Sequence, residues 1–365
     1  MKTSTIIGII IVVLALAAVA IYFGATRQPP PSPTQAPTPT PTVTKTTTTT
    51  PAPTTPAAKY SVVIATGGVG GVYYYYGGVI AGLLKNYTNI DATSIQTAAS
   101  IDNLLLIRDK TDPAKGIYYC ATVLPDSAYL AYTGQHDKFK DKPAPIAILW
   151  AMYPNHLHIV TRSDSGIKSL YDLKGKRVST GAPGSGTEVE ALLLLQVLGI
   201  DPAKDFAKWE RLGAAESANA LRDGSIDAYF WSGGLPTSSI VELAAALKQR
   251  GVSLVLISVP DDVIAKFQEK FPGIASKGVI SKSVYGTEND VQTLAFWNMF
   301  VCHKDVPEDL AYLITKTVFE HLDILQASVA AAKDTTLKNA LLYYGGTIPY
   351  HPGALRYYKE KGLIK

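Results

Sequence analysis

The chain has 365 residues, 47% of them hydrophobic, and a formal net charge of +4. That excess lies in the first 59 residues, where Lys2, Arg27, Lys45 and Lys59 face no acid, so residues 60–365 carry equal numbers of basic and acidic side chains. A neutral body offers no electrostatic footprint for nucleic acid as a partner, and its length exceeds one simple core and suits two lobes.

Ile6 to Phe23 is an apolar run behind Met1-Lys2, at the lower length limit for a transmembrane helix. Ala18-Val-Ala20 also has the small-residue character of a signal cleavage site. Residues 1–27 therefore read as a membrane anchor or a cleaved signal segment, and either one places the remainder outside the cytoplasm. Residues 28–59 hold 10 Pro and 12 Thr. Such a stretch cannot build a core and is expected to be a disordered, extended stalk with the composition of O-glycosylated stalks.

Beyond the stalk, apolar strand-like runs alternate with helical patterns. Strands are expected at Tyr60–Ile64, Ile117–Val123, Ile146–Met152, Leu157–Thr161, Arg177–Thr180, Ile226–Trp231 and Leu254–Val259. Helices are expected near Val79–Asn86, Ile101–Arg108, Ser127–Tyr132, Thr187–Leu198, Ser217–Asp223, Thr237–Arg250 and Val263–Phe271. This alternation predicts α/β architecture, a parallel sheet with helices on both faces. After about Thr287 the pattern turns mostly helical, through Val306–Lys338, and then irregular. The paired strands around Tyr153-Pro-Asn155 and the segment near Leu254–Pro260 read as hinge crossings. They divide the body into lobe one, residues 60–155 and 260–365, and an inserted lobe two, residues 156–259. Clefts between such lobes are the usual ligand sites. Cys120 and Cys302 are expected as two buried thiols.

Three strand-to-helix junctions rich in small polar residues point to a ligand ringed by helix N-termini, which favour anions. The first is Ala65-Thr-Gly-Gly-Val-Gly-Gly-Val-Tyr-Tyr-Tyr-Tyr-Gly-Gly78, with Gly67, Gly68, Gly70 and Gly71 as bare backbone. In its aromatic run Tyr74, then Tyr73, is expected to wall the cleft. The second begins at Ser100, read as an N-cap, with Asn103 one turn further on. The third is Ser179-Thr-Gly-Ala-Pro-Gly-Ser-Gly-Thr-Glu188, in which Ser185 and Glu188 have the spacing of a capping box. There Gly184 and Gly186 bare the backbone and Thr187 adds a hydroxyl. Tyr153, Arg162, Trp231 and Gly234 complete the expected site, Arg162 as a cation for a carboxylate.

Catalytic patterns are missing. The Gly181–Thr187 loop lacks the lysine of a phosphate-binding P-loop, neither glycine loop is a dinucleotide fingerprint, and Gly184-Ser-Gly186 is not a nucleophile elbow. His156 and His158 lack companion ligands for a metal. No enzyme activity, cofactor or metal is expected.

Asp164-Ser-Gly-Ile-Lys-Ser-Leu-Tyr-Asp-Leu-Lys-Gly-Lys-Arg-Val178 resembles type II solute-binding proteins. The loop Ala65–Tyr74, Ser100-Ile-Asp-Asn-Leu104, Gly181-Ala-Pro-Gly-Ser-Gly-Thr-Glu188, Trp231-Ser-Gly-Gly-Leu-Pro-Thr237 and His351-Pro-Gly-Ala354 together resemble the TAXI family, the extracytoplasmic solute receptors of TRAP transporters. The resemblance implies a type II periplasmic-binding-protein-like fold, two α/β lobes with a hinge and an interlobe cleft. It also implies capture of a small organic anion or amino acid, such as glutamate or 2-oxoglutarate, and transfer to TRAP permease membrane subunits. A stand-alone sensing or scavenging module of the same fold is the alternative. The chain departs from the family at Leu124-Pro125, where a Gln-Asn pair is common, and at Asn155, where Glu is common. For an amino acid, Asp126 or Glu188 is the expected ammonium acceptor.

Overall fold

The computed structural model describes residues 60–365; the expected anchor and stalk lie outside the described residues. Ten strands form one continuous sheet: β1 Tyr60–Ala65, β2 Ile90–Ile95, β3 Ile117–Val123, β4 Ile146–Arg162, β5 Arg177–Ser179, β6 Lys208–Glu210, β7 Ala228–Gly233, β8 Leu254–Leu256, β9 Ser276–Ile280 and β10 Val291–His303. Their order is β2-β1-β3-β10-β4-β7-β5-β6, with β8 on β4 and β9 on β10. The helices of eight residues or more are α1 Val72–Tyr87, α2 Ser100–Lys110, α3 Pro125–Tyr132, α4 Gly186–Leu198, α5 Ala214–Arg222, α6 Ser238–Lys248, α7 Asp261–Lys270, α8 Glu308–Glu320 and α9 Pro352–Glu360. No helix among the described residues is long and apolar enough to cross a membrane.

The sheet is mixed rather than parallel. β1 pairs in parallel with β2 and β3, and β5 with β6 and β7. β10 is antiparallel to both β3 and β4, and β4 is antiparallel to β7. The two strands expected around Tyr153-Pro-Asn155 are one 17-residue strand. Pro154 sits opposite Trp297, next to a register shift between Trp297 and Met299, where a missing ladder donor is tolerated. β10 itself lies where helix was expected. Its residues Leu294–Phe296 and Asn298–Cys302 are all buried, so its faces do not alternate, and a run apolar on both sides carries no period-two signal. α9 is likewise regular where irregular chain was expected; His351 Nδ1 accepts from Gly353 N at 3.2 Å and caps it.

Two lobes with separate cores hang on β4 and β10. The first core gathers Val62, Ile64, Leu104, Trp150, Phe300 and Tyr358, with Trp150 stacked on Phe300 at 4.2 Å between ring centroids. Complete burial of each such side chain contributes about 1.5–3 kcal/mol. The second lobe holds two smaller cores, one around Leu157, Leu194 and Phe230 and one around Tyr229, Ile240 and Leu247. Val263, Phe267, Leu294 and Phe296 also pack in the second lobe. The chain therefore returns to lobe one along β10, later than the crossing expected near Pro260, because the hinge is a strand that carries apolar side chains into both cores.

Cys120 and Cys302 are not free thiols. They are register partners on β3 and β10 and are joined by a disulfide spanning 182 residues of sequence.

Candidate functional site between the lobes

A cavity of about 470 Å³ opens between the lobes, and the first turns of α1, α2, α4 and α5 border it. The first N–H groups of a helix have no acceptor within it, so these ends are donor surfaces with partial positive charge, although at α2 Gly184 O already takes Ile101 N and Asp102 N. Lysine and arginine are absent from the described residues that line the cavity. Any anion held here is held by backbone N–H groups and by hydroxyl and amide side chains.

Of the expected site residues, Gly67, Gly68, Gly71 and Tyr73 line the cavity from the first loop and α1. Ser100 and Tyr153 also line it from lobe one, and Ser185, Gly186, Thr187, Trp231 and Gly234 from lobe two. Ser185 is the N-cap of α4, its hydroxyl accepting from Glu188 N at 3.0 Å. Gly199, at φ +67°, ends the same helix in the left-handed region that glycine adopts without cost. Thr187 Oγ1 accepts from Ser232 N at 3.2 Å and ties the start of α4 to the end of β7. The Trp231 ring lies against Gly71, and its indole N–H donates to Thr237 Oγ1 at 3.0 Å.

Six expected residues lie elsewhere. Asn103 is fully buried and structural, donating to Thr66 O at 2.7 Å and Thr122 O at 2.8 Å while accepting from Thr97 Oγ1 at 2.6 Å. Tyr74 is exposed, because the α1 periodicity turns Tyr73 and Tyr76 inward instead. Arg162 sits at the far end of β4, where it pairs with Asp164 at 3.1 Å and donates to Leu221 O at 3.2 Å. Glu188 returns no bond to the N-cap backbone; its carboxylate takes Gly184 N at 3.2 Å and the Arg211 guanidinium. Gly184 and Gly70 are not in the cavity wall but bridge the lobes on its two flanks. Gly184 O accepts from Ile101 N at 3.1 Å and Asp102 N at 3.3 Å, and Gly70 O accepts from Ser238 Oγ at 3.1 Å and Ser239 N at 3.4 Å. Both glycines stand at positive φ, +81° and +85°, which aims these carbonyls across the gap. Ser100 also differs from its expected role: Ala99 is the N-cap of α2, and the Ser100 hydroxyl accepts from Leu124 N at 3.1 Å.

Sequence reading named Asn155 only as a departure from the family pattern and passed over Asn298, Gly213, Ala214 and Glu216. Asn155 donates to Ser232 O at 3.3 Å and accepts from Asn298 Nδ2 at 2.9 Å. Asn298 also donates to Tyr153 O at 2.7 Å, and the Tyr73 hydroxyl donates to its Oδ1. This network fastens α1 to both hinge strands. The available signal was a single Asn inside an apolar run, a polar group that must be paired when buried. Gly213 and Ala214 open α5 at the cavity without a Ser, Thr, Asp or Asn cap. Glu216, exposed at the rim, is the lining carboxylate.

His156 and His158 are not arranged as metal ligands. His158 bonds Trp231 O through Nδ1 at 3.1 Å and Tyr285 Oη through Nε2 at 3.0 Å. Burial lowers His158 to about 3 and His156 to about 4, so both rings are neutral at physiological pH. Clusters of three or more His, Cys, Asp or Glu able to hold a metal are absent among the described residues.

Two α/β lobes joined by two continuous strands, with helix ends facing a shared cavity, define a periplasmic-binding-protein-like fold. The chain belongs to the NMT1-like family, whose model matches residues 64–362. Among solved structures it is similar to MatC from Rhodopseudomonas palustris with bound malate, at 16% identity and a TM-score of 0.48, covering 83% of this chain and 96% of that one. It is similar also to PhnD1 from Prochlorococcus marinus in complex with methylphosphonate, at 13% identity and a TM-score of 0.48, covering 75% and 88%. A third similar structure, from R. palustris with adipate, has 11% identity and a TM-score of 0.47, covering 83% and 93%.

Proposed function

We propose that this protein is an extracytoplasmic solute-binding receptor that captures a small organic anion by closure of its lobes. The observation that carries this reading is the convergence of four helix N-termini, two from each lobe, on a cavity without a lysine or arginine in its wall. A carboxylate there gains donors from both lobes only when they are together, so binding and closure are linked. The disulfide supports residence in an oxidising compartment. Glutamate and 2-oxoglutarate are the favoured ligand types, and an amino acid would find its ammonium partner in Glu216 rather than in Glu188, which Arg211 engages. The motifs shared with TAXI receptors support TRAP permease subunits as the recipient of the ligand, with residues 1–27 tethering the receptor to the membrane and 28–59 as its stalk.

The test is mass spectrometry of small molecules released on denaturing the natively purified full chain, followed by calorimetry with the compound found. A carboxylate or amino acid that rebinds is the expected result. A released cation or an uncharged lipid would overturn the anion reading.

A further inference from the structure

Behind the cavity floor each lobe buries one acid where two helices pack across the lobe boundary. Asp126 lies in the first turn of α3, in lobe one, and Glu190 in the second turn of α4, in lobe two; the two helices pack together. Both residues are fully buried, and all four carboxylate oxygens are without a hydrogen-bond partner. The Ser232 hydroxyl, itself buried and unpartnered, approaches Glu190, and the Ser127 N–H approaches Asp126, neither within hydrogen-bonding geometry.

Burial first, and then the charge of Asp126, push the Glu190 carboxyl well up; burial likewise raises Asp126. The titratable groups sharing this field are Tyr73 on α1 and Tyr343, with Tyr153 on β4 beside Tyr73, all held neutral by burial. No Lys or Arg contributes to either carboxyl, and Arg211 is engaged by Glu188, two residues earlier on α4. Two desolvated carboxylates without a counter-charge cannot both remain ionised. An opening of the lobes that exposed the two carboxyls would return water, and so the charge, to each.

We propose that Asp126 and Glu190 form a site for one monovalent cation, a proton or a small metal ion such as sodium, that fills as the lobes close. Closure then takes up one positive charge from solution, and the receptor holds its ligand more tightly where protons or that ion are abundant. This rests on the lobe closure of the proposed function but on none of the ligand-binding residues.

The test follows the interlobe distance by pulsed electron paramagnetic resonance in the full chain without organic ligand. Spin labels go on Lys110→Cys in α2 and Lys204→Cys in lobe two, both exposed. Spectra are taken at about pH 5.5 and about pH 8.5, with choline or sodium as the salt cation; one coupled proton shifts the open-to-closed ratio by up to about tenfold per pH unit. Wild type is expected to be closed at the lower pH and to gain an open population at the higher pH in choline. Sodium closes it again if the occupant is the metal ion and leaves it open if the occupant is a proton. Asp126→Asn and Glu190→Gln, which keep side-chain volume, are each expected to weaken the response, and the double variant to abolish it. A wild-type distance unchanged by pH and salt, or a response that persists undiminished in the double variant, overturns the cation site. An organic ligand that shortens the distance equally at both pH values would leave the receptor standing and remove only this site.

Discussion

Gly186 shows how one residue serves two surfaces at once. Its backbone opens α4 at the cavity, and a β-carbon there would lie 2.6 Å from Ser100 Oγ and overlap Leu124 Cδ1 on the opposite lobe. Gly186→Val is therefore expected to hold the lobes apart, rather than merely crowd the ligand. Calorimetry with the identified ligand should show binding weakened by tenfold or more, on the order of 1.4 kcal/mol, with thermal stability only modestly lower. Unchanged affinity would mean that the α4 start is no part of closure. Ser185→Ala acts on a different quantity, removing the acceptor of Glu188 N and costing about 1 kcal/mol in urea unfolding. At His156 and His158 the folded pKa values of about 4 and 3 lie below the unfolded imidazole value. The unfolded chain then binds more protons, so their contribution to stability is whole above about pH 6.5 and is lost as pH falls towards 4. Side-chain NMR should find both rings neutral at about pH 5.5; a protonated ring at that pH would contradict this burial.

Among the elements, β4 and β10 decide both the hinge and the site. Each carries core residues for both lobes, and the Asn155–Asn298–Tyr73 network joins them to the start of α1. Asn298→Ala would leave the Tyr73 hydroxyl, the Tyr153 carbonyl and the Asn155 side chain short of partners in a buried setting. The expected cost is about 2–4 kcal/mol in chemical denaturation, with a looser cavity floor. A loss under 1 kcal/mol, on the order of a single exposed hydrogen bond, would show that water replaces the asparagine. α4 was legible from its Ser185 cap and α7 from its apolar periodicity, both of which are local. β10 was not, since a strand buried on both faces has no alternation to read.

For the whole molecule, the Cys120–Cys302 disulfide closes 182 residues, including all of the second lobe. By chain entropy a loop of this size contributes up to about 5 kcal/mol. Replacing both cysteines by alanine should lower stability in guanidinium by an amount approaching that limit, and reductant should bring wild type to the same curve. A double variant as stable as oxidised wild type would mean that the bond forms without constraining the unfolded chain. The cross-link lies between β3 and β10 in lobe one, away from the interlobe cavity, so ligand affinity should survive its removal at temperatures where the protein stays folded.

From the sequence alone came the alternation of strands and helices, the two-lobed reading and the glycine-rich helix starts, because each rests on residues within one or two turns of one another. Ser185 and Thr187 were nominated on the same local grounds and stand at the cavity. Asn298, the disulfide and the Asp126–Glu190 pair depend on chain segments that meet only after β10 is inserted between β3 and β4 and the lobes come together. No local pattern encodes such meetings. Burial then decides their chemistry, since a carboxylate that is ordinary on an exposed helix becomes a proton or cation acceptor once it is enclosed and faced by another.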